Sequence, residues 1–220
     1  MTGAALLTFL TARQNLGQTV LRLSAVAALV PLVACAPAPL PPADVLPVMQ
    51  WDHSPQAEEW TEATLAALQN EGAALLSEVP ADIGTWCPGY VSADEDGRAA
   101  FWAGMFSALA RFESTWNPNA VGGGGQWFGL VQIAPGTARA YDCTADSGSE
   151  LQNGSANLEC AVRIAAETVT RDGVVAANRG GLAADWGPFA SSEKRQAMAA
   201  WVSTQSYCQP NPDHPLVDRT

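Results

Sequence analysis

Residues 111–138 read RFESTWNPNAVGGGGQWFGLVQIAPGTA and decide the fold. Before them, Phe101, Met105 and Leu109 repeat at the four-residue spacing that is typical of the buried face of an α-helix. Glu113 ends this apolar pattern, and a run of glycines follows. The sequence therefore predicts a buried helix that stops at Glu113 and leads into a glycine-rich loop.

The position of Glu113 favours a protonated carboxyl group. A carboxylate is disfavoured in the last turn of a helix, where the macrodipole is negative. Phe112 and Trp116 are expected to fold over it and exclude water, which also raises the pKa. A carboxyl group that is protonated near neutral pH can act as a general acid. Taken alone, a glutamate before a turn is more often an exposed surface residue, so the neighbouring motifs decide its role.

Those motifs resemble a known family. Glu113-Ser114 is followed by Gly129-Leu130-Val131-Gln132-Ile133 and later by Asn157-Leu158. In this order they resemble the SLT-type lytic transglycosylase domain, a relative of the lysozyme-like glycosidases. No single piece is specific, because a glycine run alone usually marks a flexible loop, but the ordered combination is.

The resemblance implies an enzyme that binds peptidoglycan glycan strands and uses neither a cofactor nor a metal. Most glycosidases use two carboxyl groups, whereas this family is understood to use one glutamate, here Glu113. It protonates the oxygen between N-acetylmuramic acid and N-acetylglucosamine. It then takes the proton of the muramoyl 6-hydroxyl, which attacks C1 and closes a 1,6-anhydro ring.

The resemblance also implies roles for other residues in substrate binding. Ser114 is expected to orient the Glu113 carboxyl or a bound acetamide, and Gln132 to reach the sugar through its amide. Gly129 is expected to let the backbone approach the glycan. Trp116 and Trp127 are expected in the binding cleft.

Two departures from the family pattern leave alternatives open. Val131 replaces the usual Met, and the later motif whose Tyr helps to position the catalytic Glu is not recognisable. Trp186 could supply an aromatic wall there, and either Tyr207 or Tyr141 the hydroxyl. Asn157 is either a helix N-cap or part of the site.

The beginning of the chain predicts export. Residues 1–34 resemble a signal peptide of the lipoprotein type, with an apolar run at 25–33 that is too short to span a bilayer. The sequence Leu32-Val33-Ala34-Cys35 resembles a lipobox, in which Cys35 is lipidated; an ordinary secretory signal is the alternative. We therefore expect a periplasmic protein that is lipid-anchored to a membrane, the outer membrane more than the inner.

The remaining chain divides into four segments. Residues 35–54 combine the lipidated Cys with a proline-rich tether. Residues 55–80 predict an accessory helix, 81–209 the SLT-like catalytic domain, and 210–220 a tail. The expected fold class is mainly α, a lysozyme-like domain with a glycine-rich loop, stabilised by disulfides, plus the N-terminal accessory helix.

Four cysteines remain once Cys35 is set aside. They are Cys87, Cys143, Cys160 and Cys208, an even set in a chain that is expected in an oxidising compartment. Of the three possible pairings we favour Cys143 with Cys160 and Cys87 with Cys208. A zinc site is disfavoured because the set contains no Cys-x-x-Cys pair.

Charge and histidine content argue against other functions. The formal net charge is -11, so nucleic acid is not an expected partner. His53 and His214 have no metal-site or catalytic-triad pattern around them. The sequence identifies no protein partner.

Two alternatives to the transglycosylase remain. One is a non-catalytic peptidoglycan-binding lipoprotein. The other is a hydrolytic muramidase, which needs a second acid or a placed water, with Asp142 or Asp146 as possible sources.

Overall fold

The computed structural model describes residues 45–210. The predicted signal peptide, Cys35 and residues 211–220 lie outside this described part. Within it the prediction of a mainly α fold is confirmed. The helices are α1 (Ala57–Gln69), α2 (Ala73–Ser77), α3 (Ile83–Trp86), α4 (Glu95–Glu113), α5 (Pro135–Ala140), α6 (Gly148–Leu151), α7 (Gly154–Asp172) and α8 (Ser192–Val202). The strands are β1 (Val121–Gly122) and β2 (Trp127–Phe128), and short 3-10 turns cover Tyr90–Ser92, Ala177–Arg179, Gly181–Ala184, Gly187–Ala190 and Ser206–Cys208.

Helix α4 lies at the centre of the core. Every residue from Ala99 to Ala110 is buried, as expected for a helix that is enclosed on all sides. Asp94 caps its start by accepting a hydrogen bond from the Gly97 amide at 2.9 Å. Helices α1 and α8 pack against α4, and α7 packs against α1. The predicted helix end at Glu113 is found in the structure.

The predicted accessory helix is in fact two helices that belong to the same core. The chain turns after α1, and the Gly72 amide donates back to the Ala67 carbonyl at 2.9 Å. A side chain at Gly72 would overlap Leu68 and Val162, so the turn packs directly on α7. Trp60, Leu68 and Leu75 are buried with the rest of the core. The segment is therefore integral to the domain.

The tether prediction for residues up to 54 is wrong at its end. Met49 and Trp51 are buried, and the Trp51 indole N–H donates to the Thr61 hydroxyl at 2.9 Å. The Gln50 amide donates to the Ser107 hydroxyl on α4 at 3.0 Å. Two large apolar side chains near the proline-rich stretch lose contact with water by joining the core, so the fold begins before residue 54.

Two disulfides close the fold, in the pairing that we favoured. Cys87 is bonded to Cys208 with a Cα–Cα distance of 4.7 Å, and Cys143 to Cys160 with 5.2 Å. The first joins the end of α3 to the last 3-10 turn, and the second joins the segment after α5 to α7.

The glycine-rich segment forms a small hairpin. Val121 pairs with Phe128 and Gly122 with Trp127 in antiparallel register. Gly123, Gly124 and Gly125 between them all have positive φ, at 57°, 67° and 99°, which only glycine adopts readily. None of the described helices is long and apolar enough to cross a membrane.

The two disulfides should differ in their contribution to stability. In the chain-entropy model, the 121-residue separation of Cys87 and Cys208 corresponds to about 5 kcal/mol and the 17-residue separation of Cys143 and Cys160 to about 3 kcal/mol. We expect the Cys87→Ala/Cys208→Ala variant to lose more free energy of unfolding than Cys143→Ala/Cys160→Ala. Urea unfolding monitored by circular dichroism measures both, and the reverse order would contradict a loop-entropy origin.

Candidate active site

Glu113 is the last residue of α4 and is half-buried. Burial raises the pKa of its carboxyl group to about 7, and the positive charge of Lys194 on α8 opposes that shift. A group with this pKa is partly protonated and partly ionised at neutral pH. It can therefore donate a proton and later accept one without a large change in conditions.

The backbone reverses sharply after Glu113. Thr115 and Trp116 both have positive φ, at 54° and 57°, an unusual conformation for residues with a Cβ atom. The Ser114 hydroxyl donates to the Leu130 carbonyl at 2.8 Å, and the Ala110 carbonyl lies at 3.3 Å. The hydrogen bond that we expected from Ser114 to Glu113 is not found, because this hydroxyl proton joins the helix end to the loop at 129–132.

That loop is held by Asn157, which is completely buried on α7. Its side-chain oxygen accepts from the Val131 amide at 2.9 Å, and its side-chain nitrogen donates to the Phe128 carbonyl at 3.0 Å. The N-cap of α7 is instead Asn153, whose side chain accepts from the Ala156 amide at 3.0 Å. The N-cap interpretation of Asn157 is therefore wrong.

Gly129 is required by crowding inside the protein. Its φ is +83°, and a side chain there would overlap the Leu151 carbonyl and the Asn157 side chain. We expected this glycine to make room for the glycan, but the close neighbours are the protein's own atoms. The absence of a side chain at Gly129 thus lets the loop pack directly against Leu151 and Asn157.

Gln132 braces the same loop. Its side-chain nitrogen donates to the Gly129 carbonyl at 2.9 Å and to the Ala120 carbonyl at 3.2 Å, and its φ is 53°. Both side-chain N–H groups are thus used within the protein, whereas we expected the amide to bind the sugar. The side-chain oxygen lies against Gly122 of the hairpin.

A recess opens beside Gln132. Its lining includes Trp127, Thr137, Asp185 and Trp186. Trp127 is 46% exposed, so its ring is available to stack on a sugar. Trp186 is only 3% exposed and packs in the core, and its indole N–H donates to the Val131 carbonyl at 2.9 Å.

The recess and the acid are joined through three consecutive residues. Leu130 accepts from Ser114 beside Glu113, Val131 accepts from Trp186, and Gln132 lines the recess. The structure therefore brings together most of the predicted site residues around this one loop.

Two predicted site residues, Tyr207 and Trp116, do not line the recess. The Tyr207 hydroxyl donates to the Val48 carbonyl at 3.3 Å beside Gly104, which is nine residues before Glu113 and so about 13 Å back along α4. Tyr207 therefore cannot hold the Glu113 carboxyl. The Trp116 indole N–H donates to the Ser107 carbonyl at 2.9 Å, and its ring packs on His53 at 4.6 Å.

The other candidate hydroxyl, Tyr141, lies near the recess but donates to the Asp185 carboxylate at 3.2 Å. Partial burial raises the pKa of Asp185, and its hydrogen bond with Tyr141 opposes that shift.

Asp142 and Asp146 do not line the recess. Sequence reasoning missed Asp185, and its only signal was adjacency to Trp186. Among residues 45–210, no three His, Cys, Asp or Glu side chains are grouped to hold a metal ion.

A protonatable glutamate at the end of a buried helix, next to a glycine-bounded loop, is typical of a lysozyme-like domain. Residues 92–197 match the family model of the transglycosylase SLT domain, so this chain contains an SLT domain. The domain indicates lytic transglycosylase-type activity on peptidoglycan and binding of that substrate.

Solved structures of a protein described as Bd0314 DslA are similar to this chain. Its wild-type form 2 has a TM-score of 0.68 at 27% sequence identity, over 75% of this chain and 100% of that one. Two mutants of the same protein, each with a different glutamate replaced by glutamine, give TM-scores of 0.68 and 0.67 at 26% identity, with the same coverage. A comparison with curated proteins finds no match.

The role of Asn157 can be tested against Asn153. Asn157→Ala leaves the buried Val131 amide without a partner and removes one of the two hydrogen bonds to the Phe128 carbonyl, which keeps the bond from the Ile133 amide. We expect it to lower the free energy of unfolding by about 2–4 kcal/mol. Asn153→Ala removes only a helix cap, at a cost of about 1 kcal/mol. Thermal unfolding compares the two, and an equal or smaller loss for Asn157→Ala would contradict its role in holding the loop.

Proposed function

We propose that this protein is a lytic transglycosylase that cleaves the β-1,4 bond between N-acetylmuramic acid and N-acetylglucosamine without water. Glu113 acts first as the acid and then as the base, and the products carry 1,6-anhydro-muramoyl ends. The observation that carries the proposal is the half-buried carboxyl group at the end of α4, with a pKa of about 7.

The first step uses the protonated form of Glu113. The carboxyl proton passes to the bridging oxygen as the bond from that oxygen to C1 breaks, and positive charge develops at C1. The substrate's own acetamido oxygen is placed to stabilise this centre. Desolvation keeps enough of the acid protonated at neutral pH and makes its anion a better base once the proton has left.

The second step uses the carboxylate. It accepts the proton of the muramoyl 6-hydroxyl while that oxygen forms a bond to C1. The ring closes, Glu113 is protonated again, and no water is consumed. Proton transfer in both steps by one group accounts for activity without a second carboxyl group.

Substrate binding is proposed at the recess and along the loop in front of Glu113. Trp127 supplies an exposed ring for stacking on a sugar. Gln132 and the buried Trp186 also line the recess. In this proposal Ser114, Gly129 and the Gln132 nitrogen act indirectly, because their contacts hold the loop.

We further propose that the domain acts outside the inner membrane on a lipid anchor at Cys35, at the outer membrane. The lipobox-like sequence ending at Cys35 supports the anchor. Two disulfides within the fold are typical of an oxidising compartment, which supports a periplasmic site.

Hydrolytic muramidase activity is the second candidate, and Asp185 is the observation that favours it. Its carboxylate lines the recess, and Tyr141 donates a hydrogen bond to it. Most glycosidases use a second carboxyl group to activate water or stabilise C1. The two functions differ in their products.

Product analysis separates these functions. Peptidoglycan that is digested by the protein should carry anhydro-muramoyl ends, which mass spectrometry detects. Glu113→Gln should reduce the release of these ends by at least about a thousandfold, because both proton transfers are lost. Asp185→Asn should leave the anhydro product dominant. Reducing ends that disappear in Asp185→Asn would instead establish the muramidase, and full activity of Glu113→Gln would show that the acid is another residue.

The pKa of Glu113 also predicts a pH-dependent stability difference. Because the folded-state pKa is about 7 and the ordinary value is 4.5, the folded protein binds more protons than the unfolded chain between these values. Its stability therefore falls as pH rises through this window. We expect Glu113→Gln to be more stable than the wild type at pH 8 and about equally stable at pH 4. Urea unfolding at both pH values tests this, and an unchanged difference would contradict burial of the carboxylate.

A further inference from the structure

Two cations meet at the ring of Phe112, the residue before Glu113. The Arg111 guanidinium carbon lies 5.5 Å from the ring centroid, and the Lys194 ammonium nitrogen lies 5.7 Å from it. Both distances fall within the range of cation–π contact. Arg111 is exposed and Lys194 half-buried, so the group opens to solvent beside the acid. Lys194 is also the only lysine of the chain.

These two cations differ from most others in the described part of the chain. Arg98, Arg139 and Arg195 donate to backbone carbonyls, and Arg163 and Arg171 pair with carboxylates. Within residues 45–210, the side chains of Arg111 and Lys194 make no hydrogen bond or ion pair, and Arg179 resembles them in this but lies on a separate turn. The chain has 22 acidic and 11 basic side chains, so available carboxylates are abundant.

We infer that Arg111, Phe112 and Lys194 form a subsite for the carboxylates of the peptide that is attached to the muramoyl unit at Glu113. This inference rests on the proposed function. The muramoyl lactyl group is extended by a peptide with free carboxylates, so anionic groups lie close to the bond that is cleaved. A guanidinium and an ammonium can bind them through charge-assisted hydrogen bonds.

The ring of Phe112 gives the subsite its geometry. A cation that rests against an aromatic ring is held there without using a hydrogen-bond acceptor, so the N–H groups that do not face the ring stay available to an anion. Phe112 is half-buried and packs on the core, so it fixes the two flexible side chains near Glu113. The acidic surface elsewhere gives no long-range attraction for an anionic polymer, so the subsite acts at contact distance.

The test compares two substrates with the full-length protein. One is glycan strands with their peptides attached, and the other is the same strands stripped of peptides by an amidase. The measured quantity is the ratio of kcat/KM for release of anhydro ends, peptide-bearing over stripped. We expect this ratio to fall about three- to tenfold in the single variant Arg111→Gln. We expect a fall of the same size in the single variant Lys194→Gln, because each substitution removes one partly exposed charged contact.

Arg163→Gln is the matched control. Arg163 lies on α7, outside the candidate site, and pairs with Glu71. The variant removes the same charge and should leave the ratio unchanged. Because Lys194 also acts on Glu113, each variant is measured at its own pH optimum. A shift of the pH profile that is equal for both substrates reports this effect on the acid, whereas the ratio reports peptide binding.

Binding is measured separately from catalysis. In a Glu113→Gln background, peptide-bearing fragments should bind several-fold more tightly than stripped ones, and adding Arg111→Gln should remove that preference. Ratios and affinities that match the Arg163→Gln control would overturn the subsite. A wild-type protein that releases no anhydro ends would overturn the proposed function. It would not overturn the subsite, which the preference for binding peptide-bearing fragments tests separately.

Discussion

The two hydrogen bonds of the buried Asn157 amide are the interaction on which the site depends. They fix the Phe128 carbonyl and the Val131 amide, and so the loop between them. Ser114 attaches the end of α4 to this loop, and Trp186 attaches the wall of the recess. An amide is suited to the task because it offers a donor and an acceptor in one rigid plane. Without Asn157, the buried Val131 amide would have no partner, and the Phe128 carbonyl would keep only the hydrogen bond from the Ile133 amide.

Around that fixed loop the site contains several locally unfavourable features. Thr115, Trp116 and Gln132 have positive φ, and Glu113 is a carboxyl group that burial disfavours when ionised. Such features persist where the surrounding structure determines them strongly. Here α4 is enclosed by core residues over most of its length, and two disulfides restrict the chain before and after it. The packed core around α4 thus holds the half-buried Glu113 carboxyl group, with its raised pKa, at the end of this helix.

Much of the fold could be predicted from the local sequence pattern. The apolar repeat located α4 and its end at Glu113. The cysteine count predicted two disulfides, and of three possible pairings the favoured one is found. The remaining errors share one cause, since spacing does not tell which atoms a side chain will contact. Asn157 looked like a cap because it lies near a helix start, but its partners are 26 and 29 residues away. Tyr207 looked available because it is aromatic and late in the chain, yet it packs on the segment at Val48. Apolar residues beside prolines, such as Trp51, were assigned to a tether although they enter the core.

The Cys87–Cys208 bond determines what a single proteolytic cut in the glycine-rich hairpin does to the site. The hairpin at 123–127 is exposed on every residue and rich in glycine, the kind of segment that proteases cut first. Cys143–Cys160 does not enclose this segment, whereas Cys87–Cys208 does. A single cut there leaves both fragments in one covalent molecule, with Glu113 on one fragment and Asn157 on the other. The halves of the site therefore cannot diffuse apart until the disulfide is reduced.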